Sequence, residues 1–329
     1  MIFYLLSFLA GVSELGCICW GYSQGFSIPL LILLGTGYQV GNMFPIPWIL
    51  NRKKYIIVVL LGCIGYLFQI SDRNDMRFVG MLITIISCSI CLQVGRSLIK
   101  MNNNTTIKRI VRFSGFIVAG MGVKYFEIII LAIFIVSVIV IKKYMVSQKS
   151  KLTDEWNNIC IAMFFHQMHY FVYVYGTFIY AMGKLGMTMA NIFFVCTWIV
   201  YTIVAPILNR QEKKYYTRWF FCGHTFLAII LLLMSFFSYN IKIYIILWIL
   251  AGIGGGTVFC ITALWKRKEN RNTENIIIAE NLGHLCGSFL GAVIMLTSCD
   301  IKILTIVGAC MAILAMLFIW KEIKQENGN

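Results

Sequence analysis

The 329 residues are 60% hydrophobic and only 12% charged. This is about half the charged fraction of a typical soluble domain, so the composition excludes an ordinary soluble fold. The formal net charge of +15 would suggest nucleic-acid binding in a soluble protein. Here the bases lie in short clusters between long apolar runs, so they indicate a membrane protein and no nucleic-acid partner.

Twelve apolar segments are long enough to cross a bilayer. Lipid offers backbone groups no hydrogen-bond partners, so a spanning segment is a helix of about 20 apolar residues. In chain order the predicted spans are 1–22, 28–50, 54–71, 77–98, 107–122, 124–142, 157–182, 187–208, 216–238, 240–264, 275–297 and 301–321. We therefore expect an all-α polytopic membrane protein with twelve transmembrane helices.

The basic residues indicate the orientation of these helices. If the N-terminus is cytoplasmic, the cytoplasmic loops and tail hold 21 of the 28 Lys and Arg residues, with Arg112 counted among them. The opposite loops hold six. The positive-inside rule then predicts a multi-pass protein of the plasma or inner membrane with both termini in the cytoplasm.

A short basic sequence motif, called the paired phrase below, occurs twice, each time directly after an apolar run. It reads "ILNRKKY" at 49–55 and "ILNRQEKKY" at 207–215, which is 158 positions later. Both copies fall on the same side of the membrane, so about six spans separate them. This predicts an N-terminal six-helix bundle at 1–145, a cytoplasmic linker at 146–156, and a C-terminal six-helix bundle with a short tail at 157–329.

The paired phrase resembles the major facilitator superfamily, whose six-helix halves are parallel repeats. The stretches "MTMANIFFVCTWIVYTIVAPILNR" (187–210) and "GHLCGSFLG" (283–291) are also similar to that family. The resemblance implies a gating loop at Asn51 and Arg52, with Arg210 as its second-half counterpart, although Asn51 replaces the usual acidic residue. A ten-helix drug/metabolite transporter is the architectural alternative, but its inverted repeats would put the two phrases on opposite sides.

Glu14 lies deep in the first predicted helix, on one face with Ser7 and Gly11. An ionisable residue within a membrane helix is costly and is by default a functional candidate. Burial disfavours the charged form of a carboxyl and a nearby cation favours it. Glu14 is therefore the predicted proton-coupling acid, and the structural alternative is a protonated Glu14 bonded to a neighbouring helix.

The seventh predicted helix carries a stripe of polar and aromatic side chains at helical spacing. Its members are His166, His169, Tyr170, Tyr173, Thr177 and Tyr180. Along a water-filled cavity they would offer hydrogen bonds and ring faces to a ligand, and the family resemblance implies that helices 1, 4, 7 and 10 line such a cavity. We predict His166, His169, Tyr170 and Tyr173 as substrate contacts. Local packing of the tyrosines and zinc binding by the two histidines are the alternatives, and we expect no metal and no cofactor.

Further polar residues lie within the second, fourth and eleventh predicted helices. Gln39 and Asn42 share a face of helix 2, beside glycines spaced for close helix contact. Gln93 and Arg96 lie one turn apart in helix 4. These four residues are predicted substrate contacts, with helix packing or snorkelling of Arg96 to the membrane surface as alternatives.

The eleventh predicted span, 275–297, carries Glu280 and His284 on one side, which makes them a candidate second proton site. Its glycines at 283, 287 and 291 step every four residues and predict a tight helix crossing. The run "GIGGG" at 252–256 is expected to let helix 10 bend.

Together these features predict a monomeric secondary transporter that is not an enzyme. It would move an organic small molecule by alternating access, as proton-coupled efflux by an antiporter. The alternatives are an importer of a small metabolite driven by a proton or substrate gradient, and a membrane metalloenzyme using the four histidines. A non-transporting subunit or receptor is a third class.

Overall fold

The computed structural model describes residues 2–43, 52–98, 105–144, 156–267 and 274–327, and within these ranges the chain contains helices and no strands. The all-α class is therefore confirmed. The chain divides into two compact units, Met1–Lys151 and Leu152–Asn329. Most of the predicted linker at 146–156 lies outside the described residues, so its boundaries stay a prediction.

The first unit contains six described α-helices. They are α1 (Ile2–Ser23), α2 (Ile28–Met43), α3 (Arg52–Gln69), α4 (Asn74–Leu98), α5 (Thr105–Met121) and α6 (Phe126–Tyr144). α1 packs against α5, α4 and α2, while α3 packs on α4. Helix α1 is therefore surrounded by its neighbours, which explains why nearly all of its length is buried.

The second unit is built around its first helix. Its described α-helices are α7 (Asn158–Leu185), α8 (Met187–Leu208), α9 (Tyr216–Phe236), α10 (Ile241–Gly256), α11 (Val258–Arg267), α12 (Glu274–Thr297) and α13 (Ile301–Asn327). α7 packs mainly on α12 and α13, and α9 packs on α13 and α10. The polar stripe of α7 therefore lies inside this unit.

Polar residues and glycine mark the helix ends in the second unit. The side chain of Asn157 accepts hydrogen bonds from the backbone N–H groups of Ile159 and Cys160 at the start of α7. Gly186 ends that helix with φ of +83°, a left-handed conformation that costs glycine little. These residues satisfy or redirect the backbone where the apolar helices end.

Seven described helical segments are long and apolar enough to cross a membrane, or eight if one bent pair counts as a single span. The chain is thus a multi-pass membrane protein, but the predicted number of twelve is not confirmed. α7 is long enough to cross a membrane but is not apolar enough to count among these segments. The predicted span 28–50 runs into residues 44–50, which lie outside the described residues.

The bent pair corresponds to the fifth and sixth predicted spans. The segments Arg109–Met121 and Val123–Ser137 meet at 91°, and the second begins with a 3₁₀ turn at Val123–Tyr125. The sequence predicted two separate spans at 107–122 and 124–142. Their apolar runs were recognised correctly, but the angle depends on packing around the break, which hydropathy does not report.

Glycines bring the principal helix pairs together. A Cβ atom on Gly11 of α1 would overlap the carbonyl oxygen of Arg112 on α5, and one on Gly115 would overlap the carbonyl oxygen of Phe8. In the second unit, the α12 glycines 283, 287 and 291 lie against the carbonyl oxygens of residues 164, 168 and 172 on α7. The predicted tight crossing of α12 is confirmed.

The "GIGGG" run also forms a close helix contact. Gly252 and Gly256 of α10 lie against the carbonyl oxygens of Thr197 and Tyr201 on α8. The helix then breaks at Thr257, whose hydroxyl donates to the carbonyl oxygen of Gly254 at 2.6 Å. The predicted bend and its part in gating stay predictions.

We expect Gly287→Ala to lower the melting temperature of the purified protein. The added methyl meets the backbone of Met168, and overpacking of this kind costs about 1–3 kcal/mol, more than the roughly 1 kcal/mol that alanine gains in helix propensity. Gly255→Ala is the matched control because its new methyl meets only the ring of Tyr201. Tryptophan fluorescence during heating in detergent compares the two, and equal melting temperatures would refute the close-crossing argument.

Candidate functional site

Glu14 of α1 forms an ion pair inside the first unit. Its Oε2 lies 2.5 Å from Nη2 of Arg112 on α5. The Glu14 side chain is 2% exposed and that of Arg112 is 32% exposed. The acid predicted from the sequence is therefore enclosed, and its basic partner remains partly accessible.

The Gly11–Gly115 crossing explains how the two charges meet. Because neither glycine carries a side chain, the backbones of α1 and α5 approach closely one turn from Glu14 and Arg112. The guanidinium also lies 5.7 Å from the ring centroid of Phe116, where the ring face attracts a cation. Helix packing thus fixes the position of the pair.

A row of amides continues from the ion pair toward α2. The Nε2 of Gln39 donates to Oε1 of Glu14 at 3.4 Å. The Nδ2 of Asn42 donates to Oε1 of Gln39 at 3.0 Å. The structure therefore brings three of the predicted site residues together with Arg112, and both carboxylate oxygens of Glu14 contact a donor.

The second unit contains another acid linked to an imidazole. The Nε2 of Gln167 on α7 donates to Oε1 of Glu280 at 3.4 Å. The Nε2 of His284 donates to Oε1 of the same glutamine at 2.9 Å, because an amide oxygen can only accept. Glu280 and His284, predicted as a pair from α12 alone, are thus joined through a side chain on α7.

The two histidines of α7 lie beside a third histidine. Nδ1 of His166 is 2.8 Å from Nε2 of His224 on α9. The ring centroid of His169 lies 4.8 Å from that of His166 and 5.8 Å from that of His224. All three residues are at most 2% exposed. His166 and His169 stay predicted substrate contacts, but their immediate neighbours are side chains of their own unit.

The remaining residues of the α7 stripe are mostly engaged in packing. Tyr173 is buried and lies beside Gly308 of α13. Tyr170 is half-buried, and its ring packs edge-on against Trp198 of α8. Thr177 shares a 2.9 Å hydrogen bond with the hydroxyl of Tyr244. The alternative of local tyrosine packing therefore accounts for much of this stripe, and substrate contact by Tyr170 and Tyr173 remains a prediction.

For the other predicted site residues, the structure gives only a position along the chain or an exposure. Gln93 is half-buried on α4. Arg210 lies exposed in the turn after α8. Arg52 and Arg96 lie in α3 and α4 with side chains outside the described set, and Asn51 lies outside the described residues. Their gating and substrate roles stay predictions.

Sequence reasoning missed two residues that the structure places at these sites, Arg112 and His224, and it also gave Glu127 no role. Arg112 was counted as a loop base, but it lies within α5 and pairs with Glu14. The useful signal was its position, three residues before a glycine in an apolar helix. His224 and Glu127 were given no role. His224 contacts His166, and Glu127 accepts a hydrogen bond from Nε1 of Trp20 at 3.1 Å.

The backbone of this chain is similar to the crystal structure of the human organic anion transporter MFSD10 (TETRAN). The TM-score is 0.64, the alignment covers 97% of each chain, and the sequences are 10% identical. No family model and no curated protein matches the chain by sequence. At this identity the similarity establishes the fold, and the predicted major facilitator fold is confirmed.

The two members of the ion pair should differ in their importance for stability. Arg112→Met leaves an enclosed carboxylate without its counter-charge, so we expect a loss of about 3–5 kcal/mol in unfolding free energy. Glu14→Gln leaves a guanidinium that is already 32% exposed, and we expect a loss of about 1–2 kcal/mol. Denaturant unfolding in detergent, followed by tryptophan fluorescence, measures both.

The double variant completes this test. Combining Glu14→Gln with Arg112→Met removes both charges, so it should be more stable than Arg112→Met alone. If the two losses simply add, or if Arg112→Met unfolds no more easily than Glu14→Gln, the pair is not a coupled buried ion pair.

Proposed function

We propose that this chain, whose backbone has the major facilitator fold, is a secondary transporter of an organic small molecule and not an enzyme. The observation that carries the proposal is the enclosed Glu14–Arg112 pair with its amide row. A membrane helix rarely keeps an ionisable side chain without a functional use. Here two opposite charges and two amides meet in one place, which supplies groups for both a proton and a polar ligand.

In the proposed coupling step, a proton and Arg112 compete for the Glu14 carboxylate. A proton that binds a carboxylate oxygen makes Glu14 neutral and weakens its attraction for the guanidinium. Arg112 keeps its charge, because arginine does not deprotonate in proteins. It can then bind an anionic group of the substrate through two parallel N–H donors. Loss of the proton restores the ion pair and displaces the substrate.

This scheme favours joint movement of a proton and an organic anion. Substrate binding requires the protonated state, so both leave when the pair re-forms, and an inward proton gradient would drive uptake. This is the importer alternative recognised from the sequence. The similarity in fold to a human organic anion transporter supports the same substrate class.

Proton-driven export of an organic cation is the second candidate. An enclosed carboxylate can bind a cation in place of Arg112, in which case the proton and the cation would compete and move in opposite directions. The observation that favours it is that Oε1 of Glu14 accepts from a neutral amide, Nε2 of Gln39, whereas Arg112 contacts the other carboxylate oxygen. The two candidates predict opposite effects of a pH gradient.

We further propose that Gln39 and Asn42 contact the substrate beside the ion pair, and that Glu280 and His284 hold a proton in the second unit. Gln93, Arg96, Tyr170 and Tyr173 are proposed as additional substrate contacts. Asn51, Arg52 and Arg210 are proposed to act in gating. The proposed topology is twelve spans in two six-helix bundles of one monomer, with both termini in the cytoplasm of the plasma or inner membrane.

Proteoliposome uptake distinguishes the two candidates. The purified chain is reconstituted, and uptake of carboxyfluorescein, an organic anion, is compared with that of ethidium, an organic cation. We expect an acidic exterior to accelerate carboxyfluorescein uptake several-fold and to leave ethidium unaffected. Ethidium extrusion driven by proton entry would support export instead, and transport of neither probe under any gradient would count against a transporter of organic ions.

Two glutamate variants test the coupling role. Glu14→Gln cannot exchange a proton, so its carboxyfluorescein uptake should lose the response to the pH gradient while uptake down a concentration gradient persists. Glu127→Gln is the matched control, since it makes the same change at another glutamate of the first unit. A pH-gradient response that survives in Glu14→Gln would remove this residue from the coupling mechanism.

A further inference from the structure

Three of the four histidines in the chain meet in the interior of the second unit. His166 and His169 lie one turn apart on α7, and His224 lies on α9. They are 2%, 1% and 0% exposed. One ring nitrogen from each can be chosen so that all three atoms lie within 4.8 Å of one another.

We propose that His166, His169 and His224 bind one transition-metal ion of the Zn²⁺ type. Three neutral imidazoles with an open fourth position are a known ligand set for this ion. Metal coordination would replace the substrate contacts predicted for His166 and His169, and it is tested through metal content, which does not depend on a transport assay.

The arrangement of the three rings matches the requirement of a tetrahedral ion. With a metal–nitrogen distance of about 2.0–2.1 Å, two imidazole centroids bound to one ion lie about 5 Å apart. The three centroid separations here are 4.8, 5.0 and 5.8 Å. Small rotations of the rings would bring their nitrogens to a common centre without moving the helices apart.

The hydrogen bonds of His224 orient a lone pair toward this centre. Its Nδ1 lies 3.1 Å from the carbonyl oxygen of Phe220. A carbonyl can only accept, so Nδ1 carries the proton and Nε2 presents its lone pair to His166. A metal-binding histidine usually donates its other ring N–H to a carbonyl or carboxylate in this way.

His169 supplies the second, independent indication. Both of its ring nitrogens are enclosed, and neither makes a well-aligned hydrogen bond to a described residue. Leaving a buried polar group unsatisfied costs about 1–3 kcal/mol, so simple packing of a core histidine explains this residue poorly. Coordination of a metal ion through one nitrogen would satisfy it.

The cluster also selects the type of ion. It contains three imidazoles and no carboxylate or thiolate among the described ligand groups. Hard ions such as Mg²⁺ and Ca²⁺ require oxygen ligands, whereas Zn²⁺, Co²⁺ and copper accept imidazole. A bound ion would also join α7 to α9, whose backbones pack mainly on other helices.

Metal content and spectroscopy test the proposal on the full chain. The protein is purified in detergent through a histidine-free tag, stripped with a chelator and titrated with Zn²⁺ against a chromogenic competitor. We expect about one Zn²⁺ per chain and a higher melting temperature with Zn²⁺ but not with Mg²⁺. Co²⁺ in place of Zn²⁺ should give the visible absorption of a tetrahedral site.

Histidine variants locate the ion. His169→Ala and His224→Ala should weaken Zn²⁺ binding at least tenfold, while His284→Ala, the remaining histidine, should bind Zn²⁺ as the native chain does. Melting of the metal-free variants checks that they are folded. If a variant does not fold, the stoichiometry, Co²⁺ spectrum and Zn²⁺-dependent melting of the native chain decide. Less than about 0.1 Zn²⁺ per chain, or equal affinity in His169→Ala and the native chain, would overturn the proposal.

Discussion

The ion pair between Glu14 and Arg112 is the interaction on which the first unit depends. An isolated charge in a low-dielectric interior is costly, and an opposite charge offsets that cost only when the geometry is close. The 2.5 Å contact provides this geometry, and the glycines at the α1–α5 crossing make it possible. Packing and charge are therefore linked, since a wider crossing would separate the two side chains.

In the second unit, close helix packing at glycines likewise brings polar side chains together, but these are an amide, an acid and an imidazole. The glycines of α12 allow α7 to approach closely, so Gln167 can reach both Glu280 and His284. The opposite side of α7 places His166 and His169 beside His224. One helix thus positions two polar clusters, and the glycine spacing of α12 explains how the first of them forms in an otherwise apolar unit.

The sequence predicted features that depend on a local pattern of residues. It missed contacts between side chains that lie far apart in the chain. Apolar runs identified the helices, and glycine spacing identified the α12 crossing. Glu14 stood out because an acid in an apolar run is conspicuous. Arg112 did not, because it follows Lys108 and Arg109 closely and was grouped with them as cytoplasmic bases. His224 was missed because a single histidine carries no spacing signal, and its partners lie 58 and 55 positions earlier in the chain.

Infrared difference spectroscopy of the purified chain tests the central claim most directly. If Glu14 is an ionised partner of Arg112 that a proton can release, Glu14 should give no protonated-carboxyl band at neutral pH. Acidification should then produce such a band in the native chain and not in Glu14→Gln. A protonated-carboxyl band that is present at neutral pH and vanishes in Glu14→Gln would contradict the account.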